Sequence, residues 1–213
     1  MKKFKALLVV ACALLLVAAS VFGTMAYLTS TDEVKNTFTV GKVNIKLDEA
    51  KVTADGVTVT PAERVDQNSY KLLPGHTYTK DPTVTVLNGS ETSYVKMTVT
   101  FSNAKELDNI FAPDGANLIK IFNGYDSANW IAKGNTKDAN ANTRTYEFWY
   151  KDAVGASDGD VELDALFDSI TVPGEITKEQ LETIKGMTIT VNAYAIQADG
   201  FYTADKAWEA FKK

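Results

Sequence analysis

Residues 94–101 alternate without a fault. Val95, Met97, Val99 and Phe101 fall on one side of an extended chain, and Lys96, Thr98 and Thr100 on the other. A strand repeats every two residues, so the run predicts an antiparallel strand with one face buried and one wet. Residues 37–48 carry the same period with one fault. Phe38 and Val40 share one parity and Val43, Ile45 and Leu47 the other, which predicts a bulge at Gly41-Lys42. Further strands are expected at 78–87, with Val84 and Val86 on one face, and at 144–151, with Tyr146, Phe148 and Tyr150 together. Two more are expected at 166–172 and 187–197, and one or two within 117–131. Residues 51–60 read as a hairpin turning at Ala54-Asp55-Gly56, and Leu73-Pro74-Gly75-His76 as a tight turn. The stretches 61–69, 133–142 and 153–160 are polar and read as loops.

A period near 3.6 appears in only three places. Leu107, Ile110 and Phe111 predict a short helix over 104–112. Thr177 with Gln180 three residues on forms a capping box and opens a helix that buries Leu181 and Ile184 and stops at Gly186. Ala204, Ala207, Trp208 and Phe211 fall on one face of a helix over the tail, 203–213. Many short strands, frequent turns and few helices predict a mainly β protein. The expected architecture is a two-sheet antiparallel sandwich of jelly-roll type, because helices and long loops interrupt the order of strands.

The first residues follow neither period. Lys2, Lys3 and Lys5 precede an apolar run, and Thr24-Met25-Ala26 sets small residues before a cut between Ala26 and Tyr27. That is the layout of a secretory signal peptide; the competing reading is an uncleaved membrane anchor, for which the run is near the short limit. The expected layout is a signal over 1–26, a flexible mature N-terminal segment over 27–36, and one domain over 37–213. The whole chain carries a formal charge of −5; its first 26 residues hold three lysines and no acids, so the remaining 19 basic and 27 acidic side chains give −8. An acidic surface excludes nucleic acid and anionic membrane as natural partners, and no membrane contact is expected after cleavage. The single cysteine, Cys12, lies in the signal, so a cleaved chain has no disulfide and depends on packing and sheet pairing.

Catalytic chemistry has little to stand on. His76 is the only imidazole and follows a Pro-Gly turn, which reads as a solvated turn residue. No His-Glu-x-x-His pair exists for zinc and no Gly-x-Ser-x-Gly elbow presents a serine, so no catalytic or cofactor-binding residue is assigned. The run Asp138-Ala139-Asn140-Ala141-Asn142 begins like a calcium loop, but Thr143 stands where glycine is required and Trp149 where glutamate is required. Asp158-Gly159-Asp160-Val161-Glu162 offers oxygens to a hard cation at most adventitiously. Trp149 has outward parity on its strand and is the candidate surface aromatic for a carbohydrate platform.

At Ala26-Tyr27-Leu28-Thr29, and at Phe38, Gly41, Val43 and Ile45 in the spacing F-x-x-G-x-V-x-I, the chain resembles the TasA/camelysin family. Leu73-Pro74-Gly75 with Lys80, and the segment ITVNAYAIQADGF at 189–201, are similar to later parts of the same family. The resemblance covers both ends of the chain and not the middle, about 103–165. It implies a jelly-roll domain, export with a signal cut by the dedicated peptidase SipW, and a place on the surface or in the biofilm matrix of a Gram-positive-type bacterium. It also implies fibres in which the freed N-terminus of one subunit lies as a donated strand in a groove of the next. Here the candidate donor is Tyr27, Leu28, Thr29 and Val34, in a segment without proline. The implied partners are further copies or related matrix subunits, and the signal peptidase during export. The metallopeptidase label carried by some members has no residues here to support it. Against this non-enzymatic structural reading stand a secreted carbohydrate- or protein-binding module and, behind it, a surface hydrolase.

Overall fold

The computed structural model describes residues 41–111 and 122–211. The chain divides into two units, 1–40 and 41–213, and all the described residues belong to the second. The signal, the cleavage site at Ala26 and Tyr27, and the donor residues Tyr27, Leu28, Thr29 and Val34 lie outside them. The elements are β1 (Ile45–Ala50), β2 (Arg64–Val65), β3 (Thr77–Thr79), β4 (Thr83–Val86), β5 (Ser90–Phe101), α1 (Ala104–Phe111), β6 (Phe122–Asn123) and β7 (Trp130–Asp138). They continue with β8 (Thr143–Tyr150), β9 (Val154–Ala156), β10 (Val161–Glu162), β11 (Ser169–Thr171), α2 (Lys178–Thr183), β12 (Ile189–Gln197) and α3 (Ala204–Phe211).

The protein is mainly β, and among the described residues every strand pairing is antiparallel. The largest sheet runs β12-β5-β8-β7, with β9 beside the start of β5. Opposite it the second layer is divided in two, β10-β4-β1-β2 and β3-β11-β6. The layers meet as the alternation requires. Val95, Met97, Val99 and Phe101 of β5 and Tyr146 and Phe148 of β8 are buried against Val84 and Val86 of β4 and Phe122 of β6. The ring of Phe122 stacks on Phe167 at 4.1 Å and lies 5.8 Å from Phe101 and 6.5 Å from Phe148, tying the two layers together. Each such side chain contributes roughly 1.5–3 kcal/mol relative to exposure.

Local signals are met closely at several points. The hairpin after β1 turns through Gly56, whose φ of +81° and close approach to the Tyr78 backbone leave no room for a side chain. The capping box at α2 is complete: Gln180 N–H donates to Thr177 Oγ1 and Thr177 N–H donates to Gln180 Oε1. His76 is exposed beside its turn.

Several expectations change. The strand expected at 78–87 is two strands in different sheets. Pro82 has no N–H to continue a ladder, and between β3 and β4 the Lys80 N–H turns to the Asp168 carbonyl while the Pro82 carbonyl accepts from Leu166. Of the strand expected at 37–48, residues 37–40 lie outside the described residues. Among those described the first strand begins at Ile45; before it the Lys42 carbonyl accepts from the Glu91 N–H, and Asn44 bonds to Leu87 and Ser90. The polar stretch 133–142 is mostly the strand β7, exposed on both faces from Ile131 onward, so it has no alternation to read. Finally Lys96, placed on the wet side of β5, is 5 % exposed, because α3 folds across that side and buries Ala207 and Trp208. Short strands β2 and β9 also occupy stretches read as loops, while the strand expected over 166–172 shortens to 169–171.

Candidate functional site

The large sheet ends in two edges of opposite character. An edge strand presents unpaired backbone N–H and C=O groups and templates pairing with another chain unless charge, a bulge or a cover blocks it. On β7 the defences are present: Lys133, Lys137 and Asp138 punctuate the strand, and its register slips between Ala132 and Gly134. Gly134 holds a φ of +115° at that bulge. On β12 they are absent. The sequence ITVNAYAIQ has no charge, proline or glycine, and pairs with β5 without a slip from Ile189 to Gln197. Among the described residues no strand pairs with its other side.

The inward face of β12 is also short of cover. Ile189, Val191, Ala193 and Ala195 point to the core, yet they are only half-buried, whereas their partners Phe101, Val99, Met97 and Val95 are fully buried. Across from them β1 bonds to β4 on one side, and on the other to β2 only at its last two residues. Between β1 and β12 lies a groove of about 1060 Å³, with Leu47, Tyr70 and Leu72 on one wall and Met187, Ile189 and Val191 on the other. It takes in the first three residues of β12, Ile189 to Val191, and its lining is mixed, with Asp66, Lys71, Lys178 and Glu182 beside the apolar side chains. An extended segment entering it would find free backbone groups along β12 and apolar positions facing inward at every second residue.

One end of the groove is charged and tightly bonded. Lys80 donates to Glu49 at 2.6 Å, with both side chains 8 % exposed, and Asn68 Nδ2 donates to the other Glu49 oxygen at 2.9 Å. Nearby Arg64 donates to Asp48 and, at 2.9 Å, to Asp81. Burial disfavours the Asp48 charge, but hydrogen bonds from Lys46 and Arg64 outweigh it and hold the carboxyl below its usual range. Burial, with the Glu49 charge behind it, pushes the Tyr70 phenol well up.

Trp149 sits on the outer face of the large sheet, half-buried at the foot of α3. Its Nε1 donates to Glu147 at 2.6 Å, its ring lies 6.1 Å from Trp208, and Lys133 Nζ stands 3.9 Å from its ring centre. One ring face is therefore engaged within the fold. Beside it Lys96 Nζ lies 4.5 Å from the Trp208 ring and 3.5 Å from Glu147, a buried cation between an aromatic face and a carboxylate. The run at 138 that begins like a calcium loop is a hairpin turn: Asp138 Oδ1 accepts from the Asn140 and Ala141 N–H groups, and Asn142 holds a φ of +51°. Asp160 is bonded to the Asn88 N–H. Among the described residues no group of three acids, histidines or cysteines is placed to hold a metal ion, and no helix is long and apolar enough to cross a membrane.

The groove was not legible as a site. The uncharged run of β12 is plain in the sequence, and its significance depends on its being an edge, which only the strand order reveals. No protein-family model, characterised protein or solved structure matches the chain.

Proposed function

We propose that this chain is an exported, non-enzymatic structural protein of the bacterial cell surface or matrix. Its domain accepts an extended segment of a second copy in the groove along β12. The observation that carries the reading is the pairing of an undefended edge with an uncovered inner face on one strand. An undefended edge supplies backbone bonds, and the half-buried apolar face beside it adds side-chain contacts for an incoming segment. The segment assigned to fill it is residues 27–35, nine residues like the nine of β12, released by a cut after Ala26. A contact between the N-terminal segment of one copy and β12 of the next is head-to-tail, and such a contact propagates as a filament when its rotation does not close into a ring. Jelly-roll connectivity, secretion and SipW processing belong to the same proposal.

The test is assembly of the cleaved protein, followed by electron microscopy and sedimentation. Filaments are expected from the chain beginning at Tyr27. Removing residues 27–35 leaves a folded monomer that no longer assembles. A chain that stays monomeric with residues 27–35 in place, or one that assembles equally well without them, contradicts the reading.

A further inference from the structure

Glu49 presents its two carboxylate oxygens to two different nitrogens: the Lys80 amine on Oε2 at 2.6 Å and the Asn68 amide on Oε1 at 2.9 Å. The site is dry. Lys80 and Glu49 are buried, and the rings of Tyr70 and Tyr78 pack edge to face at 5.7 Å beside them. The Asn68 amide is clamped as well. Its Oδ1 accepts from the Val52 N–H at 3.0 Å and its Nδ2 donates to the Ala50 carbonyl at 2.8 Å. A buried ion pair is weak evidence for stability, since apolar replacements are often as good. This arrangement supplies more than an ion pair: a buried nucleophile, a proton carrier, an electrophilic carbonyl and a donor aimed at its oxygen.

We propose that Lys80 and Asn68 join in an intramolecular isopeptide bond, with Glu49 carrying the protons. The Lys80 ammonium gives a proton to Glu49, and the free amine attacks Asn68 Cγ, forming the new N–C bond. The negative charge that develops on Oδ1 is held by the Val52 N–H. Glu49 returns a proton to Nδ2, the Cγ–Nδ2 bond breaks, and ammonia leaves, taking up the last proton as ammonium. The sum is ammonium side chain plus primary amide giving secondary amide plus ammonium ion; nothing is oxidised or reduced. The bond staples the loop after β2 to the end of β3, next to the last residues of β1. In a chain whose only cysteine is Cys12, it provides the covalent cross-link that a disulfide otherwise would. The inference does not depend on strand donation.

Mass spectrometry decides it. The purified folded chain, its first residue fixed by N-terminal sequencing, is expected to weigh one ammonia less than its sequence. Fragment spectra are expected to join Asn68 to Lys80. Lys80→Arg and Asn68→Ala restore the full mass, and Glu49→Gln restores it in a chain whose circular dichroism still shows the β fold. A wild-type chain at full mass overturns the proposal, and so does a deficit that persists in Lys80→Arg, which would mark cyclisation of an asparagine elsewhere. A deficit that survives Glu49→Gln overturns the role given to Glu49. The wild-type measurement needs no variant to fold.

Discussion

Phe122 shows how much depends on one ring. It belongs to a two-residue strand, yet it touches Phe167, Phe101 and Phe148 and so holds both layers. Phe122→Ala is expected to lose about 3–5 kcal/mol, as buried aromatic truncations do, measured as a shift in denaturant midpoint at unchanged slope. Asp48 makes a prediction about pH. Its folded carboxyl titrates below its ordinary value of 3.8. The bridge to Lys46 and Arg64 therefore stabilises the protein at and above that value, and the contribution is lost as pH falls through the folded one. Asp48→Asn should flatten the acid limb of a stability–pH curve below about pH 4 and leave its slope near neutrality unchanged. Residue identities alone did not announce these roles. Lys80 and Lys96 are both charged and both buried, one beside Glu49 and the other under Trp208. The groups that cover Lys96 lie far away in sequence, so parity reads that lysine as solvent-facing.

At the scale of elements, legibility follows burial. The strand β5 is buried on one side along nearly its whole length, so its alternation shows. The strand β7 is exposed on both faces, and its pairing with β8 leaves no hydrophobic trace. The break between β3 and β4 was visible as Pro82 and was read through. Helix α2 is legible at its start because its cap is a local bond network, but it ends at Thr183 rather than Gly186, and Leu181 is only half-buried. Thr177→Ala is expected to cost about 1 kcal/mol, a loss read by thermal or chemical denaturation. Helix α3 was legible as an amphipathic helix, but its docking place was not. Trp208→Ala should uncover Lys96, destabilise the domain by about 3–5 kcal/mol, and increase the quenching of Trp149 fluorescence by added iodide.

For the whole molecule, the contrast between the two edges of one sheet is the organising fact. One edge is charged and bulged; the other is uncharged, regular and set beside a groove at its start. The proposed donor is named by a resemblance in the sequence alone, whereas the proposed acceptor depends on the order of strands, a product of long-range pairing. A charge at Val191 enters the groove from a position whose backbone pairs with Val99 of β5. Val191→Lys is expected to abolish assembly while sedimentation still shows a compact monomer. The most direct measurement uses a mature chain that has no cysteine of its own. Copies carrying Leu28→Cys, Thr29→Cys or Val34→Cys are mixed under oxidising conditions with copies carrying Val191→Cys on β12, or Thr136→Cys on β7. The account predicts disulfides between chains to position 191 and none to position 136. No cross-link to β12 from any of the three donors, or equal capture by both edges, would contradict it.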